Sequence, residues 1–155
     1  MSYKHAIVPL DGSSLAECVL PHLEAFASSS QIEEVELVRV VPPIEMHYKA
    51  ALPFDEREEK QLNQAAVKEA EEYLQKTKTK LEASHMRVST QVLVGTVADA
   101  LADYLKKSNA DLLLLATHGR SGPSRWVWGS VADKILRSTS IPVFLVRPSG
   151  CNLGN

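Results

Sequence analysis

The stretch DLLLLATHGRSGPSRWVWGS, Asp111 to Ser130, decides the fold. Leu112-Leu113-Leu114-Leu115-Ala116 is a short, unbroken apolar run, the pattern of a strand buried on both faces in a parallel sheet. The run breaks into a polar loop, Thr117 to Arg125, and a helix resumes at Gly129-Ser130 with VADKILRS following. Strand, Gly/Ser loop and helix N-terminus together make an anion site. The loop amides point inward, and the helix dipole adds partial positive charge. Gly119, Gly122 and Gly129 let the backbone approach a ligand or take up positive φ.

Working outward, the remaining chain alternates strands and helices. YKHAIVPL, Tyr3 to Leu10, is the first strand, and it ends in Pro9-Leu10-Asp11-Gly12-Ser13-Ser14. Asp11 has two readings. One is a plain helix N-cap. The other is a carboxylate at the carboxyl end of a strand, placed to hydrogen-bond a ribose or an adenine edge. Leu15, Cys18, Val19, His22, Leu23 and Phe26 recur at helical spacing through Ser14 to Ser28. Pro21 would cost about 3 kcal/mol inside that helix, so the pattern predicts a kink or a later start.

Val35 to Val41 is the second strand. The connection from Pro42 to Phe54 has no clean period and is long for a compact domain; His47 and Tyr48 are either a lid over a ligand or simply exposed. Asp55 to Ser84 is a long helix capped by Asp55, with the acidic EREE run suiting its positive end. Arg87 to Val94 is an edge-type strand, and after Gly95 Thr96 caps the helix VADALADYLKKS. Gly129 to Thr139 is the last helix and Ile141 to Arg147 the last strand, where Pro142 suits an edge position.

This alternation predicts an α/β, Rossmann-like domain: an open parallel five-stranded sheet in the order 3-2-1-4-5 with helices on both faces. The switch point lies between the first and fourth strands. The loops Pro9 to Ser14 and Ala116 to Ser130 meet there. They lie about a hundred residues apart in sequence, and both carry ligand-type residues. That convergence argues for a nucleotide site.

Composition sets the class. The 155 residues suit one domain, 1–148, with 149–155 as a flexible tail. Hydrophobic residues at 45% and charged residues at 23% are ordinary for a globular chain, and a net charge of −2 gives no electrostatic case for nucleic acid. Cys18 and Cys151 make neither a metal spacing nor a disulfide framework; Cys18 reads as a buried thiol and Cys151 as a tail residue. No leader pattern and no long apolar run appear, so the expectation is a cytoplasmic protein without a membrane span. There is no G-x4-G-K-[S/T], no G-x-G-x-x-G after the first strand and no G-x-S-x-G elbow. Trp126 and Trp128 read as packing residues on the core or at a dimer contact.

Gly119, nine intervening residues and Gly129-Ser130 resemble the last two parts of the universal stress protein (UspA-like) signature, G-x2-G-x9-G-[S/T]. The first glycine falls on Ala116, giving A-x2-G-x9-G-S, and Pro123 stands where a hydrophobic residue is usual. VPLDGS, residues 8–13, is similar to the family's opening motif, and the resemblance covers nearly the whole chain. It implies the ATP-binding subclass: ATP, AMP or ADP with Mg²⁺, held by Pro9, Asp11, Val40, Ala116, Thr117, His118, Gly119, Arg120, Ser121, Gly122, Gly129, Ser130 and Val131. Asp11 would contact the nucleoside and the main chain of Val40 the adenine. Thr117 to Ser121 and Gly129 to Val131 would cradle the phosphates through amides and hydroxyls. Arg120 would neutralise charge, and the Ser130 hydroxyl would meet a phosphate or help hold Mg²⁺. The family also implies a homodimer joined through residues 141–147. Little or no turnover is expected, and the downstream partner is not legible. Two alternatives stay open: a slow ATPase or phosphotransferase using His118, and a dimeric scaffold without nucleotide, for which Ala116 is the best support.

Overall fold

The structure, a computed structural model, describes residues 3–30, 32–44, 55–82, 86–117 and 129–147. The strands β1 His5–Pro9, β2 Glu34–Val41, β3 Arg87–Val94, β4 Leu112–Ala116 and β5 Val143–Val146 form one parallel sheet in the predicted order, β3-β2-β1-β4-β5. The helices are α1 Ser14–Glu17, α2 Leu20–Ser30, α3 Glu56–Glu82, α4 Val97–Lys107 and α5 Ser130–Ser138.

The β4 run explains the layering. All four of its leucines are buried, and successive side chains point to opposite faces. Leu112 and Leu114 join Ala6, Val8, Leu37 and, from α2 and α3, Leu23 and Leu74. Leu113 and Leu115 join Ile7, Val38, Leu101 and Leu105 of α4 and Ile135 of α5. The sheet therefore carries α1–α3 on one face and α4 with α5 on the other. At the amino end of the central strands the Asp111 carboxylate accepts from the amides of Lys4, at 2.9 Å, and His5, at 3.1 Å. This contact ties the start of β1 to the start of β4.

Pro21 has the predicted effect. The first helix ends at Glu17, Cys18 and Val19 make a turn, and α2 begins at Leu20. Pro21 thus lies in a first turn, where its missing N–H leaves no helix bond unmade. Cys18 is buried as expected, whereas His22 is exposed, with its ring 5.7 Å from that of Phe144.

Asp55 caps α3. Its Oδ1 accepts from the amides of Arg57 at 2.9 Å and Glu58 at 2.8 Å, and Glu58 Oε2 accepts in return from the Asp55 amide at 3.4 Å. This is a reciprocal capping box. Asp55→Ala is expected to lower stability by about 1 kcal/mol, read as a shifted urea midpoint at constant slope. Thr96 occupies the N-cap of α4 but makes no side-chain capping bond there. The last strand is shorter than predicted: Pro142 precedes it, and its carbonyl accepts from the Leu113 amide at 3.0 Å.

Among the described residues no helix is long and apolar enough to cross a membrane. The expectations for His47, Tyr48, Trp126, Trp128, Cys151 and the tail from 149 fall outside the described residues.

Candidate functional site

The site begins with a parting of the two central strands. β1 and β4 are in register only from Ala6 with Leu112 to Ile7 with Leu113. Beyond that each strand follows its outer neighbour. The Leu10 amide donates to Val38 O at 2.8 Å, which holds the end of β1 to β2. The Thr117 amide donates to Val146 O at 2.8 Å, which holds the end of β4 to β5. Between them, at the carboxyl end of the sheet, lies a cavity of about 320 Å³. That is within the range of small-molecule sites, about 300–1,000 Å³.

The cavity is lined by Pro9, Asp11, Val40, Ala116, Thr117, Gly129, Ser130 and Val131, all named from the sequence. His118, Gly119, Arg120, Ser121 and Gly122 lie outside the described residues. The sequence reading missed the apolar part of the lining: Leu10, Leu15, Ala16, Val38, Val97, Leu101, Leu115 and Ala132. Val97 and Leu101 are four apart at the start of α4. That spacing reads equally well as ordinary core, so it gave no separate signal.

One wall is the β1–α1 loop. Here the N-cap is Ser13, not Asp11: the Ser13 hydroxyl accepts from the Ala16 amide at 3.1 Å. Asp11 Oδ1 in turn accepts from the Ser13 amide at 2.8 Å and the Ser13 hydroxyl at 2.6 Å. The plain N-cap reading of Asp11 is therefore corrected. Its carboxylate organises the turn and is exposed at the cavity edge.

The facing wall is the start of α5. The N-cap is Gly129, with φ 80 and ψ 142 and no side-chain cap. The first helix bond runs from the Asp133 amide to Gly129 O at 3.0 Å. The amides of Ser130, Val131 and Ala132 therefore precede the helix ladder, at the positive end of the helix dipole. Thr117 is buried, its amide is committed to Val146 O, and its hydroxyl lies 3.4 Å from the same oxygen. Its amide thus continues the β4–β5 ladder rather than facing an anion. This removes the Thr117 amide from the expected cradle; the α5 end of it stands at the cavity, and His118 to Ser121 lie outside the described residues. No group of three or more His, Cys, Asp or Glu among the described residues could hold a metal ion. The exposed Ser130 hydroxyl is a hard oxygen donor of the kind Mg²⁺ accepts alongside phosphate oxygens.

Comparison with known proteins gives a consistent result. The model of the universal stress protein family matches residues 2–147. Universal stress protein MJ0531 of Methanocaldococcus jannaschii is 26% identical over 147 residues, covering 94% of this chain and 82% of that protein. The solved structure of the hypothetical protein MJ0577 superposes with a TM-score of 0.78 at 24% identity, covering 95% of this chain and 97% of that one. A universal stress protein in complex with cAMP has a TM-score of 0.61 at 19% identity, covering 96% of this chain and 99% of that one. A family protein from Arabidopsis thaliana with AMP bound has a TM-score of 0.64 at 13% identity, covering 93% of this chain and 91% of that one. With its 3-2-1-4-5 sheet and a family match running almost end to end, this chain belongs to the universal stress protein family.

Proposed function

We propose that the chain binds an adenine nucleotide, ATP with Mg²⁺, in the crevice between β1 and β4, and serves as a homodimeric stress-response sensor with little or no turnover. The observation that carries this reading is the pairing of two unlike walls across one cavity. A carboxylate-bearing loop, Asp11 to Ser13, shares the cavity with a helix N-terminus whose N-cap, Gly129, has no capping side chain. The apolar floor of Val38, Val40, Leu101 and Leu115 suits a base, with the Val40 main chain against adenine. Asp11 meets the nucleoside. The amides of Ser130 and Val131 meet the phosphates, and the Ser130 hydroxyl meets a phosphate or its Mg²⁺. The cAMP and AMP complexes of the two fold neighbours support an adenine ligand. The edge position of β5 supports a dimer through residues 141–147, because an unpaired edge invites a second copy.

The test is calorimetric titration of nucleotide-stripped protein with ATP-Mg²⁺, beside an assay of phosphate release. Saturable binding with negligible turnover is the expected result. Turnover that His118→Ala abolishes while binding persists would establish an enzyme instead. Ala116 on the cavity wall favours a second reading, a dimeric scaffold that takes no nucleotide. A silent titration from a protein that is still dimeric would establish it.

A further inference from the structure

The loop that carries Asp11 is held from behind, on the face of the sheet away from the cavity. Val38 and Val40 line the cavity. Arg39, between them, sends its side chain to the opposite face. It is an arginine in a largely buried position, with 18% of its side chain exposed. Its guanidinium stands 5.3 Å from the centre of the Tyr73 ring on α3, and Nη2 lies 3.4 Å from Glu69 Oε1. On its other side it meets the turn: a Cβ added to Gly12 would lie 3.4 Å from Arg39 Nη1. Gly12 has φ +86, so the turn depends on glycine there, and the guanidinium packs against its bare backbone. The Tyr73 hydroxyl donates to Glu17 Oε1 at 2.9 Å, which ties α1 to the same point. The Tyr73 phenol is raised above its ordinary value by burial first and then by Glu17, with a smaller contribution from the charge of Asp11. The Asp11 carboxylate is therefore within electrostatic reach of this cluster.

We propose that Arg39 is a positioning residue for the nucleotide site. Its guanidinium, stacked on Tyr73, fixes the turn Asp11-Gly12-Ser13 and thereby aims the Asp11 carboxylate at the nucleoside. The proposal deepens the nucleotide-binding reading and rests on it. A planar cation is needed because it must stack on the ring, face Glu69 and lie flat on the glycine backbone together. Through it the long crossover helix α3 is mechanically joined to a loop on the cavity.

Arg39→Met keeps an unbranched aliphatic side chain and removes the guanidinium that stands over Tyr73. The variant is expected to bind ATP-Mg²⁺ about tenfold more weakly, with binding of Mg²⁺-tripolyphosphate, which has no nucleoside, unchanged. In a double-mutant cycle with Asp11→Ala, the second substitution should add little to the first. Full additivity, or an equal loss for tripolyphosphate, would overturn the proposal. An independent measurement needs no ligand. Hydrogen exchange of the Ser13 amide, which donates to Asp11 Oδ1, should accelerate in Arg39→Met, while amides in β2 and β4 keep their protection. An unchanged Ser13 rate would overturn the proposal whatever the protein binds. A native protein silent to ATP-Mg²⁺ would overturn the functional reading, leaving the exchange rate to decide the role of Arg39 in the turn.

Discussion

Leu113→Ala is expected to lower the unfolding free energy by about 3–5 kcal/mol. Leu113 is 0% exposed and lies mid-sheet, in register with Ile7 on one side and Val143 on the other. Its side chain packs in the cluster formed with α4 and α5. Truncation removes three carbons from a close-packed interior, and the neighbours are backbone-anchored strands and helices that cannot close the gap. Since whole domains hold only about 5–15 kcal/mol, this one change should remove a large share of the stability. Urea unfolding at unchanged slope checks it, and a loss below about 1 kcal/mol would contradict the account of β4 as the doubly buried centre.

Gly129→Val should separate binding from folding. Among the described residues nothing lies within 4 Å of a Cβ placed on Gly129, so the side chain meets no clash with them. The cost is in the backbone. At φ 80 an L-residue is strained, and a β-branched one most of all, by about 1–3 kcal/mol. Relief of that strain is expected to turn the first residues of α5 and to move the Ser130 and Val131 amides away from the cavity. Affinity for ATP-Mg²⁺ is expected to fall by about a hundredfold, comparable to the loss of several charge-assisted hydrogen bonds. Circular dichroism should remain native. Binding unchanged in a folded Gly129→Val protein would remove the helix terminus from the site.

Much of this architecture was legible because it is local. A leucine run bounded by Asp111 and a glycine-bearing loop fits a buried strand because it is too short for an ordinary helix. Pro21 forced a break wherever a helix was drawn through it, and Asp55 read as a cap, although Glu58 read only as charge at the positive end of the helix and its return bond came from the structure. The site was legible to the extent that its residues cluster in two loops. What stayed hidden depends on register or on contacts across the fold. Asp11 and Ser13 are both good caps, and the choice between them rests on where α1 begins, with the Ser13 hydroxyl on the Ala16 amide. The commitment of the Thr117 amide to Val146 follows from how far the β4–β5 ladder extends. Arg39 reads in sequence as a cation on a strand. Only the crossing of α3 beneath it, 34 residues later at Tyr73, gives it a partner.

The brief register between β1 and β4 divides the sheet into a three-stranded part and a two-stranded part, stitched at their amino ends by Asp111 and at mid-height by Ile7 and Leu113. Such a sheet resembles a book whose spine is glued over half its height. A molecule seated between the open pages touches both covers. Its binding energy therefore adds to the cohesion of the whole, by an amount that grows with the logarithm of its concentration. For a protein of this build, the stability of the sheet would report how fully the crevice is occupied.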